Sequence, residues 1–273
     1  MRTIIPTAFG AVALAAALPA SAQSLAQRVA QAPPDATVVF EYAAKPGVCG
    51  DGDSIMLVEH GTIIMRDGRE TLLSTGGSRT RSGDCFLGPV RIEMRGGTAP
   101  AELRARVGAT GTPRNAENLG TVAPAEASAF LIEAARRTRS GKVGETAVFA
   151  ATLAEGVDPW RDLLALARDG GATPKTRNSA VFWVGQAVSD RATAGLAELV
   201  GDDDADLEAR ETAVFALSQR RDAEAVPALL EVAQASPHAK LRRSAIFWLG
   251  QSKDPRALAW FEEVLLGESR RQP

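Results

Sequence analysis

Residues that commonly carry catalysis or bind metals are scarce in this sequence. Its 273 residues include 2 His, 2 Cys and 1 Tyr, which leaves little material for a His-based catalytic site or a Cys/His metal cluster. The sequence therefore predicts no cofactor. Excess positive charge is also missing, because the formal net charge is −2. Nucleic acid is accordingly not an expected partner.

Long apolar runs are absent except at the N-terminus. Residues 1–22 combine a basic start at Arg2, an apolar middle and the small residues Ala20-Ser21-Ala22. This order is typical of a secretory signal peptide, and we expect cleavage after Ala22. The alternative, a membrane anchor, is disfavoured because Pro and Gly interrupt the stretch. We therefore expect an extracytoplasmic protein, periplasmic or secreted, without a membrane span after cleavage.

The two cysteines, Cys49 and Cys85, are predicted to form a disulfide, because an oxidising compartment favours one. Closing a loop of this length stabilises a fold by about 3–4 kcal/mol on the chain-entropy estimate. A reactive thiol pair is the alternative, but such pairs usually have C-x-x-C spacing. With His60 as a further ligand, a structural zinc site would still be one ligand short.

Residues 35–111 have the pattern of a small antiparallel β module of four or five strands. Short β-branched and alternating segments are separated by Gly-rich turns. The segments 55–59 and 62–65 flank His60-Gly61, which predicts a hairpin. The turn-rich residues 109–123 are interpreted as a linker to the remaining chain.

After the linker the apolar spacing becomes helical. Pro124 to Arg137 is predicted to be a helix. A five-residue pattern then occurs four times, and its Phe residues are 33, 33 and 32 positions apart: Phe149, Phe182, Phe215 and Phe247. Because one helix pair cannot bury its own apolar face, such copies are expected to stack.

Each copy is predicted to contain two helices. An aspartate follows each Phe and is expected to cap the N-terminus of the second helix; these aspartates are Asp158, Asp190, Asp222 and Asp254. The first helix is expected to end at Gly185 in one copy and at Gly250 in another, with glycine relieving a left-handed turn.

The stretch Leu241-Arg242-Arg243-Ser244-Ala245, with Leu249-Gly250-Gln251 and Asp254-Pro255-Arg256 after it, resembles a short bacterial HEAT repeat of the phycobilisome-lyase HEAT-like type. The resemblance covers about residues 145–266. It implies an α-solenoid and a protein partner, because HEAT arrays mostly bind other proteins. The bilin attachment that the lyase label would imply is not expected in an exported protein.

The predicted fold is α+β and mainly α, with a disulfide-linked β module at 35–111 followed by an α-solenoid of HEAT-like pairs at 124–266. Residues 145–266 hold 13 Lys and Arg against 19 Asp and Glu, which again argues against nucleic acid. The aspartates between Asp202 and Asp206 are interpreted as an acidic, helix-capping loop, because they do not match a calcium-binding loop.

Five side chains are candidates for contact with a partner. Arg191, Arg221 and Arg256 fall near the starts of successive second helices, where they could bind carboxylates or an acidic peptide. Trp160 or Trp260, together with one ring of each adjacent Phe-Trp pair, could line a recognition groove. The alternative for the aromatic residues is packing between neighbouring repeats, and this alternative is favoured.

Three functional hypotheses follow. The first is a non-catalytic extracytoplasmic scaffold that binds a protein or peptide through its repeat surface. The second is an enzyme or enzyme accessory with a site in the β module around His60 and the 49–85 loop. The third, a regulator of an envelope protease or sensor, cannot be separated from the first by sequence. The scarcity of His and Cys favours binding over catalysis.

Overall fold

A computed structural model describes residues 23–52, 55–59, 62–66, 69–73, 85–108, 111, 113–187, 189 and 191–269. The predicted signal at 1–22, His60 and Asp190 lie outside these residues. The helices of the described part are α1 Leu25–Gln31, α2 Pro124–Arg137, α3 Gly141–Thr152, α4 Trp160–Ala167, α5 Pro174–Gly185, α6 Arg191–Gly201, α7 Leu207–Ser218, α8 Asp222–Ala235, α9 Ala239–Gln251 and α10 Pro255–Ser269.

The strands lie in the first half of the described chain. They are β1 Thr37–Tyr42, β2 Val48–Gly50, β3 Ile55–Glu59, β4 Thr62–Arg66, β5 Arg69–Leu73, β6 Phe86–Leu87, β7 Val90–Arg95, β8 Glu102–Arg106 and β9 Ala116–Thr121. The predicted fold class is confirmed: the protein is mainly helical, and a small sheet module precedes every helix except α1.

The strands form two sheets. One has the order β5-β4-β3-β2-β6 and is antiparallel throughout. It contains the predicted hairpin, since β3 pairs with β4. The other sheet has the order β8-β7-β1-β9. Its central strands pair antiparallel, with Phe40 opposite Ile92. The alternating burial of β7 agrees with its alternating sequence.

Strand β9 corrects the linker prediction. Its residues 116–121 fall inside the segment interpreted as a linker, yet they pair in parallel with β1. The antiparallel description of the module therefore has one exception. The sequence Ala-Glu-Asn-Leu-Gly-Thr has no apolar alternation, because β9 lies at the edge of its sheet and no side chain in it is fully buried.

The predicted disulfide is present. Cys49 and Cys85 are bonded, with their Cα atoms 5.3 Å apart. Cys49 lies in β2, and Cys85 immediately precedes β6, the strand that pairs with β2. The bond therefore fixes an edge strand of two residues that could make little pairing of its own.

The helices after the sheets form two layers. Helices α3, α5, α7 and α9 lie side by side in chain order, and each also packs against the helix that precedes it. Helices α2, α4, α6 and α8 form the second layer, and α10 lies against α8 and α9. The four predicted copies thus correspond to the pairs α3–α4, α5–α6, α7–α8 and α9–α10. The first pair is joined to the sheet module by α2, at the predicted bounds.

The sheet module and the helical layers share one hydrophobic core. The ring of Phe40 in β1 meets that of Phe130 in α2 edge-on, with centroids 5.8 Å apart. Tyr42 is fully buried and donates its hydroxyl to the Ala150 carbonyl of α3 at 2.5 Å. The Lys45 amide donates to the Leu153 carbonyl at 2.7 Å. The sheet module therefore covers the first end of the helical layers.

Gly185 shows a packing role that differs from the predicted one. Helix α5 ends at Gly185, but the next residue, Gln186, has φ −88° and ψ −2°, so no left-handed turn follows. A Cβ added at Gly185 would lie 2.9 Å from the Cβ of Ala216 in α7. Glycine is therefore required because two helices approach closely. At Gly250 the nearest atom would be Cζ of Phe261, at 4.0 Å.

We predict that Gly185→Ala destabilises the protein by about 1–3 kcal/mol, the usual cost of overpacking a core. Gly250→Ala is the matched control, because it lies near the end of α9 with space around it. This control should be neutral or stabilising by up to about 1 kcal/mol, since alanine favours helix more than glycine does. Urea unfolding measures both, and equal effects would contradict the packing argument.

Candidate functional site

Arginines at one repeated position connect successive copies, and the first two of them are buried. Arg177, Arg210 and Arg242 each lie five residues before the Phe of their copy. Arg177 donates to the Ala172 carbonyl at 2.5 Å and pairs with the carboxylate of Asp206, which begins the next copy. A buried guanidinium satisfied on both sides fixes the distance between two repeats.

The later arginines repeat this role. Arg210 donates to the Val200 carbonyl at 2.8 Å and lies 2.9 Å from the carboxylate of Asp203. It also lies 3.2 Å from Nε2 of His238, the residue that precedes α9. Arg242 donates to the Ser236 carbonyl at 2.8 Å. These arginines are structural, and their carbonyl partners, which lie in α6 or in the preceding loops, could not be read from sequence.

The first copy lacks this arginine for a steric reason. Its equivalent residue is Gly144, where a Cβ would lie 2.0 Å from Oγ1 of Thr176. Thr176 of α5 is fully buried and occupies the space. The divergence of this copy therefore reflects a closer approach of α3 and α5.

Polar pairs run along the outer face of the first helices. We call them the polar ladder: Lys175 Nζ with Glu145 Oε2 at 3.9 Å, Asn178 Nδ2 with Glu208 Oε1 at 2.7 Å, and Lys240 Nζ with Glu211 Oε2 at 2.8 Å. Each pair joins one copy to the next. Because the two lysines are largely exposed, these pairs contribute little to stability.

Two of the three candidate arginines contact carboxylates of this chain. Arg221 precedes α8 and donates to Glu224 Oε1 from Nε at 2.8 Å. Arg256 contacts Asp254 at 2.7 Å, lowers the pKa of that carboxyl to about 2, and reaches the Asp222 carbonyl at 2.9 Å. Arg191, by contrast, is exposed at the start of α6. Its side chain has no hydrogen bond to any described residue.

The two candidate tryptophans are only partly exposed. Both pack against the core. The guanidinium of Arg161 lies 5.1 Å from the ring centroid of Trp160, and Trp260 contacts Phe261 with ring centroids 5.0 Å apart. Their role in binding a partner stays a prediction.

Most of the repeated aromatic residues pack between copies, as predicted. Phe149 stacks on Trp183 with centroids 5.5 Å apart, and Phe215 lies 5.3 Å from Trp248. Phe247 in the last copy differs, because 57% of it is exposed.

The aspartates that begin the second helices act in different ways. Asp254 caps α10 as predicted, accepting the Arg256 amide at 2.9 Å. Asp222 lies inside the first turn of α8, and the residue before it makes no side-chain cap. Asp158 does not cap α4, because Pro159 takes the capping position. In the acidic loop, Asp206 caps α7, as that loop was predicted to do.

The enzymatic hypothesis places its site in the β module. A groove on the four-stranded sheet is lined by Thr37, Glu93, Met94, Arg95, Glu102, Arg104 and Pro113, a set without Ser, Cys or His. Across the described residues, no cluster of three or more His, Cys, Asp or Glu side chains could hold a metal ion. His60, on which the enzymatic hypothesis depends, lies outside these residues.

A charged network around Glu224 joins α6 to the α7–α8 connection. Thr193 donates its hydroxyl to Glu224, and Arg221 and Arg220 lie beside the same carboxylate, the latter at 3.3 Å. These contacts lower the pKa of Glu224 to about 2, the Thr193 hydrogen bond being the largest cause. Arg220 also donates to the Ser189 carbonyl at 3.0 Å. The sequence analysis did not identify Glu224, Thr193 or Arg220 as functional or structural residues.

We predict that Glu224→Gln lowers the free energy of unfolding by about 1–2 kcal/mol at neutral pH, as expected for hydrogen bonds to a charged group. Because the pKa is lowered on folding, the ionised carboxylate stabilises fully above about pH 4.5 and progressively less toward pH 2. The difference between wild type and variant should therefore shrink over that interval. Urea unfolding at several pH values measures it.

Glu231→Gln is the control, because Glu231 lies exposed on the same helix without a described partner. It should change stability by no more than about 0.5 kcal/mol. If the effect of Glu224→Gln did not vary with pH, the charge of the carboxylate would not be the stabilising feature.

No helix in the described part of the chain is long and apolar enough to cross a membrane.

Comparison with known proteins agrees with the packing of the helices. The HEAT repeat family matches residues 157–247, and the PBS lyase HEAT-like repeat matches residues 241–267. No curated protein matches the chain. The inter-repeat contacts and these matches together identify residues 157–267 as a HEAT-repeat segment.

Proposed function

We propose that this protein is a non-catalytic, extracytoplasmic scaffold that binds a protein or peptide through its HEAT-repeat surface. The observation that carries the proposal is the array itself. Four first helices lie in one layer, and their spacing is fixed by Arg177, Arg210 and the polar ladder. Such an array presents a long surface of fixed shape, which suits an extended partner.

The starts of the second helices are the part of this surface that we assign to the partner. Helix N-termini favour negative charge, and Arg191 adds a guanidinium that is exposed and without a described partner. Arg221 and Arg256 lie at the equivalent ends of α8 and α10, but each already contacts a carboxylate of this chain: Arg221 contacts Glu224 and Arg256 contacts Asp254. An acidic peptide therefore has Arg191 as its strongest single contact.

The extracytoplasmic location is supported by two features. The Cys49–Cys85 disulfide is typical of an oxidising compartment. Helix α1 begins directly after the expected cleavage point: Ser24 caps it by accepting the Gln27 amide, and Leu25 is buried. Cleavage after Ala22 would leave this cap intact.

We predict that the protein expressed with its full sequence is exported and begins at Gln23. Mass spectrometry of the mature protein and cell fractionation measure this. Replacing Ala20 and Ala22 by bulky residues should block processing, since the peptidase requires small residues there. Recovery of an unprocessed, cytoplasmic wild-type protein would contradict the location.

We predict that Arg191→Glu weakens partner binding about tenfold or more, because it replaces a favourable charge contact by a repulsive one. The measurement is affinity capture from the envelope fraction, followed by titration of the recovered partner. Arg139→Glu is the matched control: Arg139 is exposed between α2 and α3, away from the second-helix starts. Equal binding by both variants would remove Arg191 from the interface, and failure to recover any partner would contradict the scaffold function.

A further inference from the structure

We propose that two copies of this protein associate through the last helix pair of the array. The surface concerned, which we call the end face, is formed by exposed side chains of α9 and α10. These are Arg243, Ile246, Phe247, Leu258, Glu262 and Leu265.

Helix α9 exposes positions that the earlier copies bury. Phe149 and Phe182 are 3% and 9% exposed, because the following first helix covers them, whereas Phe247 is 57% exposed. The residue before this Phe behaves similarly: Val181 is fully buried, and Ile246 is 37% exposed. The side of α9 that would contact a following helix is therefore uncovered among the described residues.

Helix α10 shows the same contrast. Leu258 and Leu265 occupy the positions of Val226 and Ala233 in α8, 32 residues earlier. The α8 residues are 0% and 7% exposed, and their α10 counterparts are 56% and 64% exposed. The only buried side chain of α10 in the described residues is that of Ala257.

The opposite end of the array is covered. Strand β8 packs against α3, and the buried Tyr42 hydroxyl binds the Ala150 carbonyl. Terminal units of repeat arrays ordinarily carry a polar outer face, which keeps them soluble. The last pair instead exposes several large apolar side chains, and an exposed apolar surface marks an interface.

Two oppositely charged side chains indicate which molecule covers the end face. Arg243 holds the position that Glu211 holds in the preceding copy, where it pairs with Lys240 of the next helix. Neither Arg243 nor Glu262 has an ion pair with a described residue. Arg243 lies one helical turn before Phe247, and Glu262 lies one turn after Leu258. The face thus carries both halves of an ion pair beside an apolar centre.

A second copy matches this arrangement. Helices α9 and α10 lie against each other and are joined by a connection of three residues, Ser252 to Asp254. A connection this short joins antiparallel helices. A two-fold axis parallel to them places α9 of one copy across α10 of the other. Arg243 of each copy then faces Glu262 of the partner subunit, so this ion pair forms twice, and Phe247 faces the partner's Leu258. Such a self-complementary contact is the usual form of a symmetric dimer.

Sedimentation analysis of the purified protein over a range of concentrations tests the proposal. Wild type should form a dimer. Phe247→Glu should weaken association by about 100-fold, because it places a charge at the apolar centre. Arg243→Glu and Glu262→Arg should each weaken it about tenfold or more, and the double variant should restore it, since exchange of the charges preserves the pair.

Arg139→Glu is the control and should leave the dimer intact. Thermal unfolding shows whether each variant remains folded; the substituted side chains are all exposed. A monomeric wild type overturns the proposal, including a monomer that binds another protein by this face. So does a dimer that persists in Phe247→Glu, or failure of the double variant to restore association. None of these readouts depends on the partner proposed for Arg191.

Discussion

The structure depends on the requirement that every helix pair be covered by its neighbour. No pair can enclose its own apolar residues, so α3, α5 and α7 each pack between the helix before them and the next first helix. The stacked rings of Phe149 and Trp183, and the contact of Phe215 with Trp248, lie at these junctions. Such apolar contacts stabilise the stack, but because the hydrophobic effect is non-directional they do not by themselves fix the relative position of two pairs.

Polar contacts provide that positional information. Arg177 and Arg210 are buried, and each bonds a carbonyl and a carboxylate. For Arg177 these belong to Ala172 of the preceding loop and Asp206 at the start of α7. For Arg210 they belong to Val200 of α6 and Asp203 of the following loop. A buried guanidinium without such partners would carry a large desolvation penalty. The two copies are therefore stable only in the relative position that brings these partners to the arginine. Where the first copy has Gly144 instead, the helices are closer and Thr176 fills the junction.

Much of this architecture could be predicted from sequence, because it depends on periodic patterns. The spacing of the four Phe residues identified the repeats, and Pro124 with the apolar spacing after it gave the bounds of α2. Segments that lack a pattern were missed. Strand β9 has no apolar alternation because it lies at a sheet edge, and α1 has only 7 residues, fewer than two full apolar repeats.

Local geometry was harder to predict than the repeat itself. Whether Asp158 or Asp222 caps its helix depends on which residue turns first into the helix, and a shift of one position removes the cap. The close approach at Gly185 involves Ala216 of the next copy, so it requires the packed structure. The carboxylate neighbours of Arg221 and Arg256 lie within three residues of them, and their pairing was visible in the sequence.

The sheet module has a structural role that connects the disulfide to the repeats. Cys49 and Cys85 hold β6 against β2, and the four-stranded sheet beside them covers the first helix pair through Phe40 and Tyr42. Loss of the sheet would expose apolar side chains of α2 and α3, as the apolar side chains of α10 are exposed. A disulfide stabilises chiefly by restricting the unfolded chain, so it favours the state in which this end is covered. The oxidising compartment proposed for the protein would thus stabilise the end of the array that the sheet covers.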